Sequence, residues 1–125
     1  SAITIVDSGG NKYVFNGDTT YNSNRKYTLT GTDSSPITYT LTGVPSTHPI
    51  AILNEGQSSN ISYTGTSQPN PSNKILSGTT ADGNYQFYYG DVTVTVSGNF
   101  GNVSVYCYNH GYMGGENLLQ YLENY

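Results

Sequence analysis

The chain has 125 residues, a formal net charge of −4 and charged side chains at only 10% of its positions. This length predicts a single domain, residues 1–125, with one hydrophobic core. Four basic residues are too few for the cationic stripe that binds nucleic acid, and no apolar run is long enough for a membrane span.

Short alternating segments follow one another along the chain without helical periodicity, and Tyr, Thr and Val, which favour strands, are frequent. Turn residues separate the segments at 8–10, 16–18, 31–33 and 98–101, and we expect a long surface loop at 68–73. The predicted strands, in chain order, are 2–6, 12–15, 26–30, 37–41, 50–53, 60–63, 85–89, 92–96, 103–107 and 117–122. Many short strands between regular turns predict an all-β sandwich or barrel.

Strand alternation places two potential metal ligands at strand ends. Along 103–107, Cys107 ends an inward-facing row that begins with two valines. In "GVPSTHPIAIL", His48 begins an inward row that continues with two isoleucines. If both strand ends lie at the same pole of the sandwich, the two side chains can meet.

The stretch "VSVYCYNHGYMGG" contains the only cysteine, the only methionine and one of the two histidines of the chain. Cys107, His110 and Met113 are spaced to fit a loop that leaves one strand and returns along the next, and the glycines at 111, 114 and 115 permit a tight turn. With His48 they form a thiolate, two imidazoles and a thioether. A trigonal His₂Cys set with a long axial Met is typical of blue-copper electron-transfer sites.

Simpler interpretations exist for each residue. A lone buried cysteine is usually a small core residue, His48 before Pro49 fits a turn, His110 fits a surface loop, and Met113 fits ordinary packing. Zinc competes with copper for Cys and His, although a thioether is a poor zinc ligand. Cys107 and His110 could also suggest a cysteine nucleophile, but three residues apart in a tight loop they suit co-ligation better.

The motif "YCYNHGYM", with an upstream histidine in "PSTHP", resembles the type 1 copper site of the cupredoxins, in the ligand spacing of short-loop members such as amicyanin. The approach "VTVTVSGNFGNVSVYC" resembles the final cupredoxin hairpin. The pattern that includes "HGYMGGEN" also resembles cupredoxin-like modules of marine phage and algal proteins. The resemblance is best from about residue 39 to residue 122.

The resemblance implies a Greek-key β-sandwich of about eight strands that binds one copper ion per chain. It implies His48, Cys107, His110 and Met113 as the copper ligands. In many cupredoxins the residue after the first histidine donates a backbone N–H to the cysteine sulfur. Here that residue is Pro49, which has no N–H.

Three roles are compatible with such a site. The first is a one-electron carrier, a monomer and not an enzyme, whose redox partner docks on a patch near His110, formed by residues such as Pro45, Tyr108, Tyr112 and Gly114. The second is a structural or adhesive domain of a virion or cell surface, with a stabilising or vestigial copper site. The third is a copper-delivery module. The chain begins at a serine, so we expect a mature product or an excised domain, placed extracellularly, in a periplasm or on a virion.

Overall fold

The structure is a computed structural model that describes residues 3–7, 11–15, 20–22, 24–54, 57–65, 76–80, 83–113 and 116–122. These residues form twelve strands and no α-helix, which confirms the predicted all-β class. The strands are β1 (Ile3–Asp7), β2 (Asn11–Phe15), β3 (Tyr27–Leu29), β4 (Ile37–Val44), β5 (Ile50–Leu53), β6 (Ile61–Gly65), β7 (Leu76–Thr80), β8 (Gly83–Phe87), β9 (Gly90–Val96), β10 (Asn102–Cys107), β11 (Gly111–Tyr112) and β12 (Leu119–Tyr121).

Two sheets form a sandwich-like arrangement. In the first sheet, β9 lies between β4 and β6 and is antiparallel to both. Its sequence alternates valine with threonine, and Val92, Val94 and Val96 are buried while the intervening threonines are half-buried. This alternation is what a strand with one face on the core requires.

The second sheet is built around β10. This strand pairs with β5 on one side and with β11 on the other near its end, and it pairs with β12 near its start, all antiparallel. Strand β12 continues the sheet by parallel pairing with β3. Cys107 pairs with Ile50 of β5 and with Gly111 of β11, so the end of β10 is enclosed by the beginnings of both neighbours.

The main hydrophobic core joins the inner faces of both sheets. It contains the three valines of β9, Ile50 and Ile52 of β5, and Val103, Val105 and Cys107 of β10. The other face of β5 is also covered, because Ala51 and Leu53 pack with Phe87 in a second, smaller cluster. The predicted inward rows of β5 and β10 are therefore confirmed.

The predicted strands agree with the observed ones to within two residues at each end, with three exceptions, namely β4, β7 and β11. Strand β4 runs past its predicted end through an irregularity between Leu41 and Val44, where Gly43 has a φ of 76°. Strands β7 and β11 were not predicted, and the described strands number more than the expected eight. The turns expected at 8–10 and 16–18 and the loop expected at 68–73 lie outside the described residues. Within the described ranges, no helix is long and apolar enough to cross a membrane.

Candidate metal centre

Three of the four expected ligands come together at one pole of the sandwich. Cys107 is the last residue of β10, and His110 lies in the turn that connects β10 to β11. His48 lies in the turn between β4 and β5, two residues before the residue that pairs with Cys107. The antiparallel register of β5 on β10 is therefore what brings the two predicted strand ends to the same pole.

The donor atoms lie at separations that one ion could bridge. The Cys107 Sγ atom is 3.7 Å from Nδ1 of His48 and 3.6 Å from Nδ1 of His110, and the donor atoms of the group all lie within 4.8 Å of one another. With metal–sulfur and metal–nitrogen bonds of about 2.3 and 2.0 Å, sulfur–nitrogen separations are about 3.5 Å at tetrahedral angles and about 3.7 Å at trigonal angles. The three side chains therefore fit a shared metal ion.

Exposure to solvent differs among the three side chains. Cys107 is 0% exposed, His48 is half-buried and His110 is exposed. Burial lowers the pKa of His48 below its usual value, and the nearby His110 lowers it further. Both effects favour the neutral imidazole, which is the form that binds metals.

Met113, the fourth expected ligand, lies at the end of the ligand loop. It directly follows β11, its side chain is 2% exposed, and it belongs to the same core cluster as Cys107. Its carbonyl oxygen accepts a hydrogen bond of 2.7 Å from the backbone N–H of Tyr13. The end of the loop is thus hydrogen-bonded to strand β2, and the thioether of Met113 lies inside the core.

Two hydrogen bonds tie the ligand loop to the His48 turn. The side-chain amide of Asn109 donates to the carbonyl of Thr47 at 2.8 Å, and the backbone N–H of Tyr108 donates to the carbonyl of Pro49 at 2.9 Å. The two acceptors lie immediately before and after His48. The positions of the two imidazoles are therefore coupled through the main chain as well as through the sulfur.

Tyr13 adjoins the site, although no feature of the sequence predicted it. Its side chain is 0% exposed, and its hydroxyl donates a hydrogen bond of 2.9 Å to the carbonyl of His48. Burial raises the pKa of this phenol, and the neighbouring Cys107 raises it further. Alternation along β2 places Tyr13 and Phe15 on one face, but nothing local indicates what lies opposite that face.

The residues expected to form a docking patch pack in different ways. Tyr108 is 43% exposed and meets Phe87 edge-on, with ring centroids 5.3 Å apart. Tyr112 is half-buried and contacts Tyr106 at a centroid distance of 5.0 Å, while Pro45 is half-buried. The fourth member, at position 114, lies outside the described residues.

No family model, curated protein or solved structure matches this chain. The chemistry of the site therefore has to follow from its own donors. One thiol and two imidazoles form the group, with no carboxylate among them. Such sulfur and nitrogen donors favour copper and zinc over magnesium, calcium or manganese, which prefer oxygen.

Proposed function

We propose that this chain is a type 1 copper protein of the cupredoxin kind that carries single electrons. The observation that supports the proposal is the placement of one buried sulfur at 3.6 and 3.7 Å from the Nδ1 atoms of two histidines. Met113, at the end of the same loop, is the proposed axial ligand. A thioether as fourth ligand would favour copper over zinc, because soft sulfur donors stabilise Cu(I) and thioethers bind zinc poorly.

The arrangement suits electron transfer better than catalysis. The three donors are held by paired strands and by hydrogen bonds between loops, so the fold limits how far they rearrange when the charge of a bound ion changes. Bound copper supplies a one-electron couple. Four protein ligands leave no strong open position for a substrate, so we propose binding and transfer of electrons rather than an enzymatic reaction.

His110 is the proposed point of electron exit, because it is the exposed member of a group whose sulfur is buried. Electron tunnelling weakens steeply with distance, so a partner has to approach an exposed ligand closely. We propose that a redox partner protein docks around His110, near Pro45 and Tyr112, through a small and transient interface. The chain would act as a monomer in this exchange.

The first experiment is titration of the purified protein with Cu(II), followed by visible spectroscopy. We expect an intense blue or green colour that saturates at about one copper per chain. The chain has one cysteine, so a thiolate-to-copper band can come only from Cys107. Cys107→Ser should abolish the band, since a hydroxyl ionises far less readily than a thiol. A colourless wild-type protein, or retained colour in the variant, would contradict the proposal.

A second experiment separates electron transfer from a purely structural copper site. Tyr108→Lys places a charge next to the ligand loop, at a position that is 43% exposed. Ile37→Lys is the matched control, because Ile37 is 37% exposed and lies at the end of β4 farthest from His48. The first variant should slow electron self-exchange while both keep the wild-type spectrum. Equal self-exchange rates would instead favour a virion or cell-surface domain that copper merely stabilises.

A further inference from the structure

One residue outside the ligand loop is hydrogen-bonded to the main chain of two of the four proposed ligands. Tyr13 donates its backbone N–H to the carbonyl of Met113 and its hydroxyl to the carbonyl of His48, at 2.7 and 2.9 Å. Cys107 also influences this hydroxyl, because it raises the pKa of the phenol. Both Tyr13 and Cys107 are 0% exposed, so no water competes for these contacts from outside.

A metal-bound thiolate in this position needs a hydrogen-bond donor. When a metal binds, the thiol releases its proton to solvent and the sulfur becomes negatively charged. A buried charged acceptor without a donor is costly, and a charged sulfur attracts a hydroxyl hydrogen more strongly than a neutral carbonyl does. The residue after His48 is Pro49, which has no N–H to offer. The phenol of Tyr13 is a neighbouring group that can donate.

Resting on the copper site proposed above, we propose that Tyr13 is a positioning residue of that site. Its single hydroxyl hydrogen holds the main chain of His48 while Cys107 is a thiol, and turns to the sulfur once Cys107 binds metal as a thiolate. A donor on the sulfur weakens its bond to the oxidised ion more than to the reduced ion, so the hydroxyl raises the reduction potential.

The test is Tyr13→Phe, which removes the hydroxyl and keeps the ring. Tyr121→Phe is the matched control, because the buried hydroxyl of Tyr121 also donates to a backbone carbonyl, that of Gly31. Tyr121 lies in β12, which pairs with β10 at the end remote from Cys107. Both variants should lower the urea midpoint of the metal-free protein. Only Tyr13→Phe should weaken copper binding, by about 10- to 100-fold, lower the reduction potential and shift the charge-transfer band.

The outcomes separate this inference from the proposed function. A wild-type protein that forms no coloured copper complex overturns both. If the wild type is coloured but Tyr13→Phe keeps its copper affinity, reduction potential and charge-transfer band, the role of Tyr13 alone is overturned. The same follows if Tyr121→Phe changes these three properties as much as Tyr13→Phe does. If Tyr13→Phe does not fold, fluorotyrosine incorporated at position 13 keeps the ring and strengthens the donor. It should raise the reduction potential, and an unchanged or lower value would overturn the inference.

Discussion

Gly111 follows His110 directly and has a φ of 72°, in the left-handed region that non-glycine residues seldom adopt. A methyl group there would meet the ring of Tyr106 at 3.5 Å or more, an ordinary contact, so Gly111→Ala carries a backbone cost without a clash. That cost is about 1–2 kcal/mol. With about 2.1 cal/mol/K of unfolding entropy per residue, a chain of 125 residues should lose about 4–8 °C of Tm.

Gly101 provides the matched control for this substitution. Its φ is 73°, and a methyl group there would find nothing within 4 Å. Gly101 immediately precedes β10, whereas Gly111 begins β11, after the turn that follows β10. Gly101→Ala should therefore cost a similar free energy of unfolding, about 1–2 kcal/mol. The copper site should distinguish the two variants, because Gly111 pairs with Cys107 and adjoins His110, whereas Gly101 is remote from both.

Thermal unfolding of the metal-free proteins and competition with a copper chelator measure the two effects. We expect both alanine variants to unfold earlier than wild type, and only Gly111→Ala to bind copper at least about tenfold more weakly. Equal copper affinities in the two variants would refute the argument that the turn after Cys107 positions His110. A Gly111→Ala protein as stable as wild type would refute the argument from backbone strain.

Three further predictions concern the remaining contacts of the site. Asn109→Ala removes the hydrogen bond to the Thr47 carbonyl and should lower the free energy of unfolding in urea by about 0.5–1 kcal/mol. The variant should also lose copper to a chelator faster, and an unchanged rate of copper loss would mean that this bond does not hold the loops together. Met113→Leu should keep copper and raise the reduction potential, whereas Met113→Gln should lower it; voltammetry that shows neither shift would assign the side chain to packing alone. The lowered pKa of His48, due first to burial and then to His110, means that the unfolded chain binds its proton more readily. Stability of the metal-free protein should therefore be complete above about pH 6.5 and fall as the pH drops below that value, and urea titrations that show no such fall would contradict the assigned shift.

The sequence predicted the parts of this molecule that depend on neighbours along the chain. Period-two alternation placed Cys107 on the inward face because strand geometry alone determines it. Ser104 departs from that alternation, since it is buried with its hydroxyl accepting a hydrogen bond from the backbone of Asn117. The two-residue strand β11 carries no alternation of its own and exists only through its pairing with β10.

The candidate site could be predicted only in part, for the same physical reason. The spacing of Cys107 and His110 within one turn was visible in the sequence. That His48 would join them depended on the register of β5 against β10, which no local pattern specifies. Tyr13 was missed altogether, because its role arises from the packing of β2 against the end of a loop about a hundred residues later.

The donors of the metal centre are separated by very different lengths of chain. Cys107 and His110 are 3 residues apart, whereas 59 residues separate His48 from Cys107. In the unfolded chain the first pair still meets readily, but His48 can join only by closing a long loop, whose entropic cost grows with the logarithm of its length. With the proposed copper site, the unfolded chain should therefore retain some affinity for copper, and copper would stabilise the protein only by the ratio of its folded to unfolded affinities. An ion bound early by Cys107 and His110 would gain His48 as its third ligand only after β5 pairs with β10. Folding, rather than the arrival of metal, would then determine when His48 binds.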